Sequence, residues 1–385
     1  MSNFSLGREN IPFNKPYMTG KELWYISQAH HAGQLAGDGN YTKKCHQWLE
    51  TQTSCHKALL THSCTAALEM SAILTDLKAG DEVIMPSYTF VSSANAFVLR
   101  GAVPVFVDIR ADTLNLDETL VEAAITARTR AIVPVHYAGV GCEMDTLQQI
   151  AMKHQLLLIE DAAQGLMASY KHKPLGSFGD FGCFSFHETK NIIAGEGGAL
   201  IVNNPHFIQQ AEIIREKGTN RSKFFRGEVD KYTWIEKGSS YLPGELIAAF
   251  LYAQFEEATQ IIKTRLKIWD LYHQLLEPLA QAGKLRRPMI PIHCQHNGHM
   301  YYIILDDLST RTNLIHYLKQ HNINAVFHYV PLHSSPAGQY YGRCSEDLIN
   351  TDDLSDRLLR LPLFPTLTFE QVEFVVSKIT EFLAM

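Results

Sequence analysis

The sequence predicts an α/β protein with a mostly parallel sheet in a large domain and a smaller α+β domain after it. Two observations predict the first part. From about residue 60 to 205, short apolar runs alternate with stretches whose apolar residues recur at three- and four-residue steps. The runs are apolar throughout instead of alternating, as strands are when helices cover both faces of a sheet. A third observation predicts the second part: beyond residue 244 long helical patterns come first, and strands and helices then mix.

Taken in order, the expected strands are 82–86, 103–109, 131–136, 156–161, 181–187 and 198–202. Helical patterns fill 65–77, 118–129 and 144–154 between them. Residues 244–280 read as one or two long helices, followed by a strand at 300–305, a helix at 311–320, a strand at 325–329 and a last helix over 369–382. Thr368 and Gln371 give that last helix a capping-box start, with Pro365 just upstream. The expected division is a large domain over 1–250 and a small one over 251–385.

Composition narrows the function. The 385 residues carry 34 basic and 40 acidic side chains, a net charge of −6 that offers no footprint for nucleic acid. Val103–Val107 and Ala131–Val135, among the longest apolar stretches, are far too short to span a bilayer, so no membrane insertion is expected. Residues 1–10 lack the charged-then-apolar layout of a signal peptide. The seven cysteines form no CxxC pair, which suits free thiols in a reducing cytoplasm.

Ligands of open α/β sheets collect where strands end, and here the ends are polar: Ser87, Asp108, His136, Asp161, Ser185 and His187. Turn chemistry alone would place an Asp at 108, whereas Asp161 is followed by the small residues Ala162 and Ala163, as in a ligand pocket. Thr61–Leu68 sets hydroxyl residues before an Ala-rich amphipathic run; this reads as an ordinary N-cap or as a helix N-terminus open to phosphate. Gly195-Glu196-Gly197-Gly198 precedes a strand and lacks the GxGxxG spacing, so a dinucleotide site fails on context. His293-Cys294-Gln295-His296-Asn297-Gly298-His299 holds four potential metal ligands without HExxH spacing; an exposed loop and no metal are expected.

Ser185-Phe186-His187-Glu188-Thr189-Lys190-Asn191, with Glu160–Gln164 upstream and Gly195–Gly198 downstream, resembles the DegT/DnrJ/EryC1/StrS family. Ile11–Asn14, Pro86–Phe90 and Leu361–Pro365 extend the resemblance from end to end. It implies a pyridoxal 5'-phosphate (PLP) sugar aminotransferase of fold type I, the aspartate-aminotransferase fold, acting as a homodimer with shared active sites. The resemblance implies that Lys190 forms the Schiff base and then moves the proton, for which its pKa must fall below that of a free lysine. It further implies that Asp161 pairs with the ring nitrogen, Gln164 with the phenolic oxygen, and Phe90 with the ring face. Cys64, Thr65 and Ser185 are implied at the phosphate, Cys64 standing where the family commonly has Gly; a backbone N–H survives that change. Ser240 stands where the family has Asn in a segment that reaches the partner's phosphate, and the family's nearby Arg is absent. His187 supports the site from beside Lys190.

The cationic stretch Arg215–Gly227 suits a diphosphate, although a solvated loop is the commoner fate of such runs. It resembles the corresponding segment in the branch of the family that aminates dTDP-4-keto-6-deoxy-D-glucose at C4 with L-glutamate, in a ping-pong scheme through the pyridoxamine form. Residues 37–40, 85–91, 186–191 and 327–333 resemble the same branch. Lys217, Arg221, His187 and His328 are the substrate residues it implies. Other readings are an aminotransferase working at C3 or on UDP-sugars, a PLP sugar dehydratase, and a sugar- or PLP-binding regulator without turnover. The family's dehydratases typically carry histidine in place of the lysine, and intact Lys190 and Asp161 argue against a regulator.

Overall fold

A computed structural model describes residues 10–385; the segment read for a signal peptide lies almost wholly outside the described residues. The central sheet has eight strands. Across it run Lys57–Thr61, Gly198–Val202, Phe181–Ser185, Leu157–Asp161, Thr129–Ile132, Glu82–Pro86, Val103–Val107 and Arg343–Cys344. Only Gly198–Val202 is antiparallel to its neighbours; the other pairings are parallel. The strand from Lys57 was not read from sequence, and neither was the edge strand Arg343–Cys344, which returns from the C-terminal half of the chain.

Successive strand residues point to opposite faces, and both faces are buried. On one, Met85, Phe106, Val133, Ile159, Cys183 and Leu200 meet the helices Cys64–Leu74, Val91–Val98 and Ile208–Arg215. On the other, Ile84, Val107, Ile132 and Leu158 meet Glu118–Ala124 and Met144–His154. Further along that face Leu60, Phe184 and Ile201 meet the helices Asn40–Thr53 and Glu245–Glu256. The result is the three-layer α/β architecture expected, with continuous apolar strands because neither sheet face sees water. Asn40–Thr53 has no capping side chain of its own; the Glu245 carboxylate accepts its N-terminal N–H groups at Tyr41 (2.8 Å) and Thr42 (3.0 Å).

Tyr301–Ile304 and Leu358–Leu361 pair antiparallel and are covered by the helices Ala258–Leu275, Leu308–Gln320 and Phe369–Leu383 around a separate apolar cluster. The predicted capping box is present: Gln371 N–H donates to Thr368 Oγ1 at 3.2 Å, and Thr368 N–H to Gln371 Oε1 at 3.0 Å. Residues 325–329 are not a strand. Val326 makes a single bridge to Arg360, and Leu358–Leu361 takes the pairing instead. Beta-branched and aromatic residues in 325–329 mimic strand composition, but the next residues turn the segment into the cavity described below.

Candidate active site

The parallel strands Leu157–Asp161 and Phe181–Ser185 end side by side, and a cavity of about 860 Å³ opens at those ends. Lys190, Asp161, Gln164, Ser185, Cys64, Thr65, Phe90, His187 and His328 all line it, joined by Phe13 and Asn14 from the N-terminal segment. Residues spread over more than 250 positions therefore share one chamber.

Lys190 is the only lysine lining the cavity among the described residues. It is held in the turn after Phe181–Ser185, where its N–H donates to the His187 carbonyl at 2.9 Å. Burial is the largest influence on its amine and pulls the pKa below the ordinary lysine value. Asp161 pulls the other way, and Arg360 adds to the lowering. Burial also raises the Cys64 thiol well above its usual value, so this thiol is neutral at pH 7 and offers Lys190 no charge. The chamber thus favours an uncharged amine, the form able to attack a carbonyl or accept a proton.

Asp161 is 5% exposed at its strand end. Ser93 Oγ donates to its Oδ2 at 2.6 Å and Ala163 N–H to its Oδ1 at 3.1 Å. Thr89 Oγ1 lies 2.8 Å from Ser93 Oγ and completes the support. A carboxylate fixed by two donors at the wall of an apolar chamber is suited to hold a protonated ring nitrogen. Below it, Glu160 accepts N–H groups from Gly176 (2.7 Å), Phe178 (2.6 Å) and Gly179 (2.8 Å) and meets His136 Nε2 at 2.9 Å. Those bonds fix the strand end that carries Asp161.

Cys64 and Thr65 open the helix Cys64–Leu74, so their N–H groups have no acceptor within it. Ser63 caps the helix by accepting from Ala66 N–H at 3.0 Å. The N-cap and phosphate readings of Thr61–Leu68 are therefore compatible: Ser63 satisfies a later donor and leaves the first two free. Thr65 Oγ1 donates to Ser92 Oγ at 2.8 Å, and Ser185 lines the same cavity. Gly198 lies against this turn; a Cβ there would come within 2.3 Å of the Ser63 carbonyl carbon and 2.4 Å of the Cys64 nitrogen. Backbone cannot yield as a flexible side chain would. Gly198→Ala is expected to lower stability by about 1–3 kcal/mol and to weaken phosphate-group binding. Thermal unfolding and cofactor titration check this, and a variant matching the parent in both would remove Gly198 from the cradle.

Gln164 accepts from Ala138 N–H at 2.7 Å through Oε1 and donates through Nε2 to Tyr329 OH at 3.1 Å. Phe90 forms an exposed wall, tilted against Tyr329 with ring centroids 6.4 Å apart. His187 pairs with Thr189 Oγ1 at 2.8 Å and approaches Glu196 at 3.7 Å. His328 is buried beside Tyr137 OH, 3.1 Å from its Nδ1, and burial, then Arg360, keep it neutral well below the usual histidine pKa.

Other expected residues lie elsewhere. Lys217, Arg221 and Ser240 do not line the cavity of their own chain. Lys217 is exposed, Arg221 pairs with Glu216 at 3.2 Å, and exposed Ser240 receives His62 Nε2 on its carbonyl at 2.7 Å. Of the polar strand ends, Asp108 caps the helix Ile349–Arg357, accepting Asn350 N–H at 2.9 Å and Thr351 N–H at 2.8 Å. Ser87 is buried against His333 Nδ1 at 2.7 Å, and His136 serves Glu160; neither is at the cavity. Residues 293–299 are not an exposed loop. His293 pairs with Glu143 at 2.9 Å, His296 packs on Trp269, and Asn297 and His299 are buried. Asn297 donates to the Gln164 and Leu166 carbonyls at 2.8 and 2.9 Å, while His299 Nδ1 meets Asn191 Oδ1 at 2.9 Å. The segment is thus a buttress for the turn holding Lys190.

Ser93, Arg265 and Arg360, among other groups at or behind the cavity, were not marked by the sequence, and His299 was marked only as a potential metal ligand. Arg265 is buried and donates to the carbonyls of Gly298 (3.0 Å), His299 (2.7 Å) and Leu363 (3.2 Å), tying three segments together. Burial pulls its pKa down to about 9. Only Ser93 carried a signal, its four-residue step from Thr89 on the first turn after a strand.

A buried lysine whose pKa is pulled below the ordinary value, a braced carboxylate and an open helix N-terminus within one chamber of the fold type I architecture define a PLP-dependent aminotransferase. The donor set fits that cofactor: N–H groups for its phosphate, Asp161 for its ring nitrogen and Lys190 for its aldehyde. Residues 16–380 match the DegT/DnrJ/EryC1/StrS aminotransferase family. GDP-perosamine synthase of Escherichia coli O157:H7 is 30% identical over 376 residues, covering 97% of this chain and 98% of its own. The UDP-4-amino-4-deoxy-L-arabinose–oxoglutarate aminotransferase of Shewanella sediminis is 30% identical over 390 residues, with 98% and 99% covered. A putative sugar aminotransferase from Streptococcus pneumoniae, solved in its PLP form, superposes with a TM-score of 0.89 at 26% identity, with 98% and 99% covered. The chain belongs to the DegT/DnrJ/EryC1/StrS aminotransferase family and is a PLP-dependent nucleotide-sugar aminotransferase. Among the described residues no helix is long and apolar enough to cross a membrane.

Proposed function

We propose that this chain transfers the amino group of L-glutamate to C4 of dTDP-4-keto-6-deoxy-D-glucose, giving dTDP-4-amino-4,6-dideoxy-D-galactose for a polysaccharide of the enterobacterial common antigen type. The observation that carries the chemistry is Lys190, its amine biased toward neutrality, sharing one chamber with Asp161. When bound, PLP supplies an electron sink for the carbon that loses its proton. Cys64, Thr65 and Ser185 would hold its phosphate, Asp161 and Gln164 its ring, and Phe90 its face. Lys190 would take the proton from the carbon bearing the donor's amine, and deliver one to C4 of the sugar in the second half-reaction. Amination at C4 draws support from the name of the Shewanella relative, a 4-amino-4-deoxy sugar enzyme. The dTDP assignment draws on the resemblance of Arg215–Gly227.

The same reading includes a homodimer in which Ser240 faces the partner's phosphate site, and Lys217, Arg221, His187 and His328 toward substrate. It includes a cytoplasmic location, supported by seven free cysteines. It also includes a large domain over 1–250 and a small one over 251–385, supported by the separate apolar cluster of Ile268–Ile379 residues with Ile11. A GDP- or UDP-linked 4-ketosugar is the second reading, favoured by the names of the two relatives. The purified holoenzyme, given L-glutamate and a panel of dTDP-, UDP- and GDP-linked 3- and 4-ketosugars, is expected to turn over the dTDP-4-ketosugar best. Product NMR reads the position and configuration of the new amine. Preference for another nucleotide, or amination at C3, would overturn the assignment.

A further inference from the structure

We propose that His299 is a positioning residue for Lys190: locked as the Nδ1–H tautomer, it offers its Nε2 lone pair to one N–H of the lysine amine and so aims the amine's own lone pair. This rests on the aminotransferase reading above and adds to it a residue that the sequence marks only as a potential metal ligand. The tautomer follows from a chain of bonds that starts on a backbone carbonyl. The Asn297 C=O can only accept, so the Asn191 atom 2.9 Å from it is the amide nitrogen. The other Asn191 atom is then the oxygen, also an acceptor, and the His299 Nδ1 that lies 2.9 Å from it must carry the proton. His299 is itself held in place. Its N–H donates to Asn297 Oδ1 at 3.0 Å, and its carbonyl accepts from Arg265 Nη2 at 2.7 Å.

Burial, followed by the cations Lys190, Arg265 and Arg360, keeps this imidazole neutral, well below the usual histidine pKa. With Nδ1 protonated, Nε2 is an acceptor. It meets no partner among the described residues and is not sealed in, so it opens to the spaces that His299 lines. These are the chamber and, behind it, a void of about 10 Å³ whose wall Lys190 shares, room for about one water. The Lys190 amine likewise has no hydrogen-bond partner among the described residues. An idle acceptor and an idle donor thus border one small space. Asn297, on the same wall, is already spent on the Gln164 and Leu166 carbonyls and the His299 N–H. A neutral amine has two N–H bonds and one lone pair, so fixing one N–H narrows where the lone pair can point.

The test compares the parent, H299N and H299Q, each loaded with PLP. H299N keeps an amide donor for Asn191 in the place of Nδ1 and has nothing at Nε2. H299Q reaches the place of Nε2 with an acceptor oxygen and gives up the bond to Asn191. With L-glutamate alone in single turnover, H299N is expected to slow the formation of 2-oxoglutarate roughly 10- to 100-fold. The slowed step should show an isotope effect with α-deuterated glutamate, and the dissociation constants of PLP and L-glutamate should not change. H299Q is expected to stay within roughly 10-fold of the parent, the range for one neutral hydrogen bond, and it decides the matter should H299N fail to fold. Nitrogen-15 NMR of the histidine-labelled parent at pH 7, with the variants identifying the signal, is expected to show Nδ1 protonated and Nε2 bare. An Nε2–H signal, an H299N rate equal to the parent's, a loss carried by PLP or glutamate affinity, or a deeper loss in H299Q than in H299N would overturn the inference. The reaction with L-glutamate needs no sugar, so a wrong ketosugar leaves this test intact. If the parent forms no 2-oxoglutarate, the aminotransferase reading fails, and the nitrogen signals still decide the tautomer.

Discussion

Lys190→Ala is expected to lower amino transfer from L-glutamate to a nucleotide ketosugar by about 10⁴-fold or more, while the protein stays folded. No second lysine among the described residues reaches the cavity to replace it. Proton transfer by a positioned group contributes about 10²–10⁴, and covalent participation adds to that. The amine is buried and biased toward neutrality, so the folded state already disfavours its charge. Deleting it removes a desolvation cost and leaves space that opens to the chamber, so the thermal midpoint should change little. Single-turnover kinetics and circular dichroism melting measure the two effects. A variant that retains transfer would exclude Lys190 as the proton carrier.

Asp161→Asn is expected to lower kcat by about 10²–10³ with the cofactor still bound. The amide preserves the shape that Ser93 and Ala163 hold at 2.6 and 3.1 Å. It removes the negative charge that keeps a ring nitrogen protonated, so the cost falls on electron withdrawal and not on phosphate anchoring, which belongs to a different helix end. Asp161→Ala should lose more, because the carboxylate's bonds to Ser93 and Ala163 go with the charge. Cofactor titration beside steady-state rates separates the two effects. If cofactor affinity collapses while kcat per bound cofactor holds, Asp161 is an anchor and not an electronic partner.

Much of this site was legible because its chemistry is carried by short contiguous segments. Strand, turn and lysine lie within Ser185–Asn191, and strand end, carboxylate and amide lie within Glu160–Gln164. The apolar strands leading into both segments announced a covered parallel sheet. Reading failed where a residue's environment comes from far along the chain. Nothing in the sequence around Arg360 marks it, yet Phe13 and Phe327 contact it and three tyrosines lie near it. The 293–299 segment looked like a loop because polar residues usually seek water; here Gln164, Leu166 and Asn191 supply their partners. Lys57–Thr61 was missed because its five residues show a strand's burial only once Gly198–Val202 pairs with them.

What the sequence by itself determined is the α/β class, the end of the strand carrying Asp161, a helix starting close to Thr65 and the lysine turn, since periodicity, capping and local motif are properties of neighbouring residues. The tertiary structure decided which strand ends became a site and which became caps: Asp161 and Ser185 face the chamber, whereas Asp108 holds the helix Ile349–Arg357. It also left the Arg360 Nε–H without an acceptor among the described residues and biased Lys190 toward neutrality. The physical reason is that charge state and desolvation depend on everything packed around a group, and that surrounding is assembled from both halves of the chain.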